Sequence, residues 1–197
     1  MKLTANLTKP MQRFLGALLL VAALAFVSTP QAQAHGFAYS LDIPLQFAFT
    51  GDLNGTARPS GFIAALNLPF HIGVGTESYS VEADDPSSTL DVTIDYEFTD
   101  FYVWYDFPVM TVSFGGGSGS AQVKEYTDTS GALISTDEAD ADQVFVVLGW
   151  MLNMNWEFHV AYHRIDALAN NLVSGAADGT TTQLGDVMTS AGFRYKF

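Results

Sequence analysis

Downstream of residue 34 the chain reads as eight stretches of two-residue alternation. The connections between them run long, short, long, short, long, short, long. In an extended strand successive side chains point to opposite faces, so apolar and polar residues in alternation mark a strand with two unlike environments. Connections that alternate strictly in length put all short turns at one end of an antiparallel up-and-down sheet. An open eight-stranded meander would leave two unpaired edges, and closure removes them. The expected fold class is all-β, an eight-stranded antiparallel up-and-down β-barrel.

The short turns are expected at Pro69, near Phe107-Pro108-Val109, and at "NMN", residues 153–155. The first strand carries Phe37, Tyr39, Leu41, Ile43, Leu45, Phe47 and Phe49 on one parity. Pro44 lies within it and cannot donate to a ladder, which predicts a bulge or a missing bond there. The fourth strand has Leu90, Val92, Ile94, Tyr96 and Phe98 on one parity, then Phe101, Val103 and Tyr105 on the other. Such a switch predicts a bulge at Thr99-Asp100, with a hairpin turn as the competing reading. The stretch from Thr127 to Asp142 reads as a long acidic loop. Its Asp137, Glu138, Asp140 and Asp142 lack the spacing of an EF-hand and read as solvated, with weak Ca²⁺ or Mg²⁺ binding as the alternative. "FGGGSGS" lies in a strand with no Lys-Ser/Thr after it, so it reads as a thin wall against which neighbouring inner side chains pack, not as a phosphate loop.

The first residues carry Lys2, Lys9 and Arg13, then an apolar run of about 14 residues from Phe14 to Val27, then "STPQAQA" with Ala32 and Ala34 in the A-x-A arrangement. A positive segment, a short apolar run and a small-residue cleavage site make a secretory signal peptide, and the run is short of the ~20 residues a spanning helix needs. Residues 1–34 are therefore read as signal peptide and residues 35–197 as one barrel domain. The exported part keeps five cations against 21 acids. Nucleic-acid binding is not expected of such a chain. With no cysteine, neither a disulfide framework nor thiol chemistry is available.

Three observations put lipid on the outside of the barrel. The large apolar side chains of the first strand face small or hydrogen-bonding ones on the other parity, and an eight-stranded interior could not hold so many large residues. The three tryptophans cluster at the short-turn end: Trp104 precedes the second short turn, and Trp150 and Trp156 bracket the third. They read as an aromatic belt, with Tyr79, Tyr96, Tyr126 and Tyr162 as a second belt toward the long connections. The strand lengths also match the ~9–11 residues that a tilted spanning strand needs.

The export signal, the eight alternating strands, the short turns at one end and the terminal "FRYKF" resemble the small outer-membrane β-barrels of Gram-negative bacteria, of the OmpA-transmembrane or OmpX type. The resemblance covers the whole exported chain and is architectural. It implies a cell-outer-membrane location, a monomer, and outer-membrane lipid and lipopolysaccharide as surroundings. It also implies that Phe197, Tyr195 and Phe193 form the C-terminal signal read by the barrel-assembly machinery.

On the opposite parity of the last strand lie Gly192, Arg194 and Lys196. Asp42, Asp91, Asp95, Glu97 and Glu157 are expected to face inward with Arg194 and Lys196. A buried charge must be paired, so Arg194 is expected to bridge to Glu157, Asp42 or both, with Lys196 nearer the rim. His159 and His163 share the inner face with Glu157, but four strand residues span ~13 Å, too far for one metal. No catalytic, metal or cofactor site is assigned. The expected role is that of a non-enzymatic outer-membrane barrel serving envelope integrity or surface interaction. A narrow pore and a lipid-modifying enzyme stand as alternatives.

Overall fold

The structure is a computed structural model, and it describes residues 37–50, 54–84, 90–127, 132–170, 181–185 and 187–197. The expected signal peptide, residues 1–34, and the cleavage point expected before His35 lie outside the described residues. The strands are β1 (Ala38–Thr50), β2 (Asn54–Ala57), β3 (Ser60–Leu68), β4 (Ile72–Asp84), β5 (Leu90–Asp106), β6 (Met110–Thr127), β7 (Leu133–Met151), β8 (Trp156–Asn170), β9 (Thr181–Gln183) and β10 (Val187–Lys196). Each long strand pairs antiparallel with the next, and β10 pairs with both β8 and β1, which closes an eight-stranded barrel. The short β2 and β9 extend hairpins beyond it, on β1 and β8. The ends meet at the short-turn rim, where the Phe197 amide donates to the Phe37 carbonyl at 3.1 Å.

The short turns are Pro69–His71, residues 107–109 and residues 152–155. Phe70 and His71 both have positive φ, 69° and 62°. Two consecutive non-glycine residues in the left-handed region are strained by about 1–2 kcal/mol each. His71 stacks on Tyr105, with ring centroids 5.5 Å apart, while Phe70 is thrown outward and is 90% exposed.

The wall has two storeys with opposite polarity. In the storey next to the short turns the outward positions are apolar: Tyr39, Leu41 and Ile43 on β1, Phe101 and Tyr105 on β5, Val144 and Trp150 on β7, Trp156 and Tyr162 on β8. Above a register row of outward residues on β5, β6 and β7, Thr99, Ser118 and Asp142, the outward side turns polar and the inward side turns apolar; on β8 the outward charges Arg164 and Asp166 mark the change, with Leu168 outward beyond them. There Glu97, Asp140 and Glu138 face out, and Ile94, Tyr96, Ala121, Val123 and Ile165 are buried. A strand that crosses from oil into water must exchange its outer apolar face for a polar one, and its upper part then needs an apolar core like any water-surrounded sheet.

This corrects several expectations. β5 runs from Leu90 to Asp106 in unbroken register with both neighbours, so Thr99-Asp100 is neither bulge nor turn. The change of apolar parity there is a change of surroundings. Asp91 and Glu97 accordingly face outward, and Asp95 pairs with Lys124 instead of pointing into the barrel. Val92, Ile94, Tyr96 and Phe98 are the inward ones. The register of β1 against β10 slips between Pro44 and Gln46, the irregularity predicted at the proline. The slip flips the parity, so Phe47 and Phe49 are buried where an unbroken alternation would put them outside. The acidic stretch is mostly strand, since β7 begins at Leu133. Residues 128–131, between β6 and β7, lie outside the described residues.

The thin wall is β6. Its inward glycines make room for its neighbour: a Cβ at Gly115 would collide with Tyr102, and one at Gly117 with Asp100.

Candidate functional site

The lumen is filled at two levels. The upper level is aromatic and aliphatic. Tyr96 stacks on Phe47, with centroids 5.4 Å apart, and on Tyr79, also at 5.4 Å, and lies parallel to Phe98 at 6.0 Å. Met188, Leu184, Ile165 and Val81 complete this layer. The Tyr96 hydroxyl donates to the Leu184 carbonyl at 2.7 Å, while the buried Tyr79 hydroxyl has no hydrogen-bond partner among the described residues.

The lower level is polar and lies within the apolar-walled storey. At its rim Arg194 Nη1 donates to Glu157 Oε1 at 2.8 Å, and both side chains are buried. Lys196 Nζ sits 3.1 Å from Glu157 Oε2 and 2.9 Å from Asp106 Oδ1, at the edge of the lumen. Thr111 Oγ1 lies 2.7 Å from both Asp106 Oδ1 and Glu157 Oε2, and its single proton serves one of them at a time. Two acids and two permanent cations make this rim cluster neutral, which is the condition for burying it.

Asp42 takes a different partner: His159 Nε2 at 2.6 Å, both buried. Deeper in, Gln143 Nε2 donates to Asp100 Oδ1 at 2.8 Å. His163 Nδ1 lies 3.2 Å from Gln143 Oε1 and 3.3 Å from Glu77 Oε1, while its Nε2 lies 3.4 Å from Ser190 Oγ. Ser190, His163 and Glu77 therefore stand in the order hydroxyl, imidazole, carboxylate, the order of a nucleophilic site. All three are at most 2% exposed. The adjoining cavity, lined by Asp42, Glu77, Asp100, His159, His163 and Arg194 among others, has a volume of about 30 Å³, which suits a water and not a substrate. Glu77 Oε2, His159 Nδ1 and Arg194 Nε have no hydrogen-bond partner among the described residues, and their residues line this cavity. No group of three ligating side chains able to hold a metal ion occurs among the described residues.

Phe193, Tyr195 and Phe197 lie on the outer face of β10, with Tyr39 packed 5.8 Å from Tyr195 and 5.7 Å from Phe197. Trp150 and Trp156 face outward at the short-turn end, 43% and 44% exposed. Trp104 does not belong with them: it is 5% exposed, points into the lumen, and donates from Nε1 to the Ile72 carbonyl at 3.2 Å. Its parity is that of Tyr102 and Asp100, and closeness to a turn in sequence says nothing about which side of the wall a residue takes. The second belt also fails for Tyr79 and Tyr96, which form the buried stack, while Tyr162 does face outward. Sequence reasoning missed Glu77, Asp100 and Gln143 as members of the interior network. A polar residue with apolar neighbours on its own parity was the available signal, at Asp100 between Phe98 and Tyr102.

No family model matches the sequence, and no curated protein matches it either. Solved structures do. The crystal structure of Neisserial surface protein A is similar with a TM-score of 0.60 at 13% identity, over 83% of this chain and 98% of that one. The Escherichia coli outer membrane protein W matches with a TM-score of 0.51 at 13% identity, over 83% and 100%. Ail, the attachment invasion locus protein of Yersinia pestis, crystallised with the heparin analogue sucrose octasulfate, matches with 0.50 at 15%, over 81% and 99%. The fold is that of the small eight-stranded outer-membrane β-barrels.

Proposed function

We propose that this chain is a monomeric, non-enzymatic barrel of the bacterial outer membrane. In this reading it holds a rigid stalk and its loops above the lipid, for envelope integrity or surface interaction. The observation that carries this reading is the filled lumen: a neutral ion-pair cluster at the rim, a hydrogen-bonded layer above it, and an aromatic layer that closes the top. A lumen packed in this way supports a scaffold more than a conduit. Long β5, β6 and β7 then raise polar, mostly acidic walls beyond the bilayer. Two of the similar structures bear the names of a surface protein and an attachment invasion locus protein, which is in keeping with display at the surface. In this placement the short turns are periplasmic, the polar storey faces lipopolysaccharide and the medium, and Phe193, Tyr195 and Phe197 serve the assembly machinery.

Planar-bilayer recording of purified, refolded protein tests the scaffold against the pore. The reading expects no resolvable single-channel current from the wild type. Steady wild-type conductance would replace it with the pore. Mass spectrometry of lipid A from cells with and without the protein is expected to give identical spectra.

A further inference from the structure

The three periplasmic turns of this barrel carry no Asp, Glu, Lys or Arg: they read Pro69-Phe70-His71, Phe107-Pro108-Val109 and Leu152-Asn153-Met154-Asn155. Their tips are apolar and stand free of the barrel. Phe70 is 90% exposed, Met154 93%, Val109 71% and Leu152 60%. Turns that meet water usually carry polar residues with turn propensity. Here the charges at this end, Asp106, Glu157, Arg194 and Lys196, are gathered into the lumen-side cluster instead. The Phe70 turn even accepts two left-handed non-glycine residues, and the result is an outward phenyl ring.

The height of the apolar wall supplies a second argument. A strand tilted as in such barrels rises about 2.5 Å along the barrel axis per residue. Phe101 to Tyr105 on β5 covers four residue steps, and Val144 to Trp150 on β7 and Trp156 to Tyr162 on β8 cover six each, or about 10–15 Å of axial height. The lipid-facing band of an outer-membrane barrel is about 25 Å tall. On this side of the barrel the strands alone fall short, and the upper edge is set by the first polar outward residue above each span, Thr99 on β5, Asp142 on β7 and Arg164 on β8. The missing height lies below, where the turns are.

The geometry points to periplasmic turns immersed in the inner phospholipid leaflet, with Phe70, Val109, Leu152 and Met154 as lipid-inserted anchors continuous with the apolar wall. The inference rests on the outer-membrane reading above.

The chain has no cysteine, so single-cysteine variants carry a fluorophore at one place. Phe70→Cys, Met154→Cys, Val146→Cys on the mid-wall and Asp140→Cys on the polar storey would be labelled, and the folded species reconstituted in phosphatidylcholine–phosphatidylethanolamine vesicles. Labels at 70 and 154 are expected to be quenched by spin-labelled lipid and shielded from aqueous iodide, as at 146. The label at 140 should respond to iodide alone. Iodide access at 70 and 154 equal to that at 140, with 146 still in lipid, would overturn the immersed turns and leave the membrane reading standing. Iodide access at 146 itself would remove the membrane reading. A label-free check is the Phe70→Asp/Met154→Asp double variant, which should fold like wild type in detergent and lose unfolding midpoint in vesicles. An unchanged midpoint in vesicles would likewise overturn the anchors.

Discussion

Phe98 and Phe101 lie three residues apart on one unbroken strand and face opposite sides of the wall, 2% and 67% exposed. Between them the surroundings of the barrel change, and every adjacent long strand changes with them. The consequence is a gradient of tolerance along one face. Val103→Arg should cost about 2–4 kcal/mol in a bilayer. Glu97→Arg, on the same face and six residues nearer the long connections, should stay within about 0.5 kcal/mol. Phe98→Ala should lose about 3–5 kcal/mol as a core truncation. Urea unfolding in vesicles measures all three. Equal costs for the two arginines would remove the boundary at Thr99.

Arg194 and Glu157 supply the second test. Removing one partner of a buried pair typically costs about 3–5 kcal/mol, and replacing both can approach neutrality. Arg194→Met should therefore lower the unfolding midpoint strongly, and adding Glu157→Gln should recover part of the loss. Asp42→Asn should couple to Arg194→Met more weakly, because Asp42 is held by His159. A double-mutant cycle in which Glu157 and Arg194 are strictly additive would break the assignment of the pair.

How much of this was legible in the chain can be followed residue by residue. The count of barrel strands, the short turns and the two unlike faces of β10 follow from alternation and connection length, which are local properties. Alternation reports that two faces differ, not which one meets oil. That is why Val92, Ile94, Tyr96 and Phe98 read as a lipid face until the height of the strand relative to the boundary row is known. The bulge at Pro44 was readable from a missing donor, but its effect on Phe47 and Phe49 is a matter of counting past the slip. Trp104 and Trp150 are each near a short turn, and only register separates the inward one from the outward one. Asp100, Gln143 and Glu77 come together from three strands; the sequence around Asp100 marks that one residue, but its meeting with Gln143 and Glu77 is not a local property.

Asp95 gives a pH dependence outside the bilayer. Partial burial pushes its carboxyl up, but hydrogen bonds from Lys124 and Ser80 and the nearby ammonium charge outweigh this and hold it below the ordinary 3.8. A carboxyl depressed in the folded state adds stability above its unfolded value and loses it as pH falls through the folded one. The wild type should thus lose a small increment of stability on acidification below about pH 4. Asp95→Asn should remove that part of the slope while leaving the rest. Parallel midpoint-against-pH curves would show that the Lys124 contact contributes nothing.

Deleting Phe197 separates biogenesis from packing. The ring is 73% exposed and touches Tyr39 and Tyr195 at the rim, so little folded-state stability depends on it. Pulse-chase of surface-assembled barrel is expected to slow markedly in the deletion, while the unfolding midpoint of protein already assembled changes little. Wild-type assembly kinetics would leave Phe197 with a packing role alone.

The most direct test of the whole account is heat-modifiability on fractionated cells, since it reads location and barrel closure together. The expected result is a band in the outer-membrane fraction whose unheated mobility differs from its boiled mobility. Unchanged mobility, with the protein in the soluble periplasmic fraction, would contradict a closed membrane barrel.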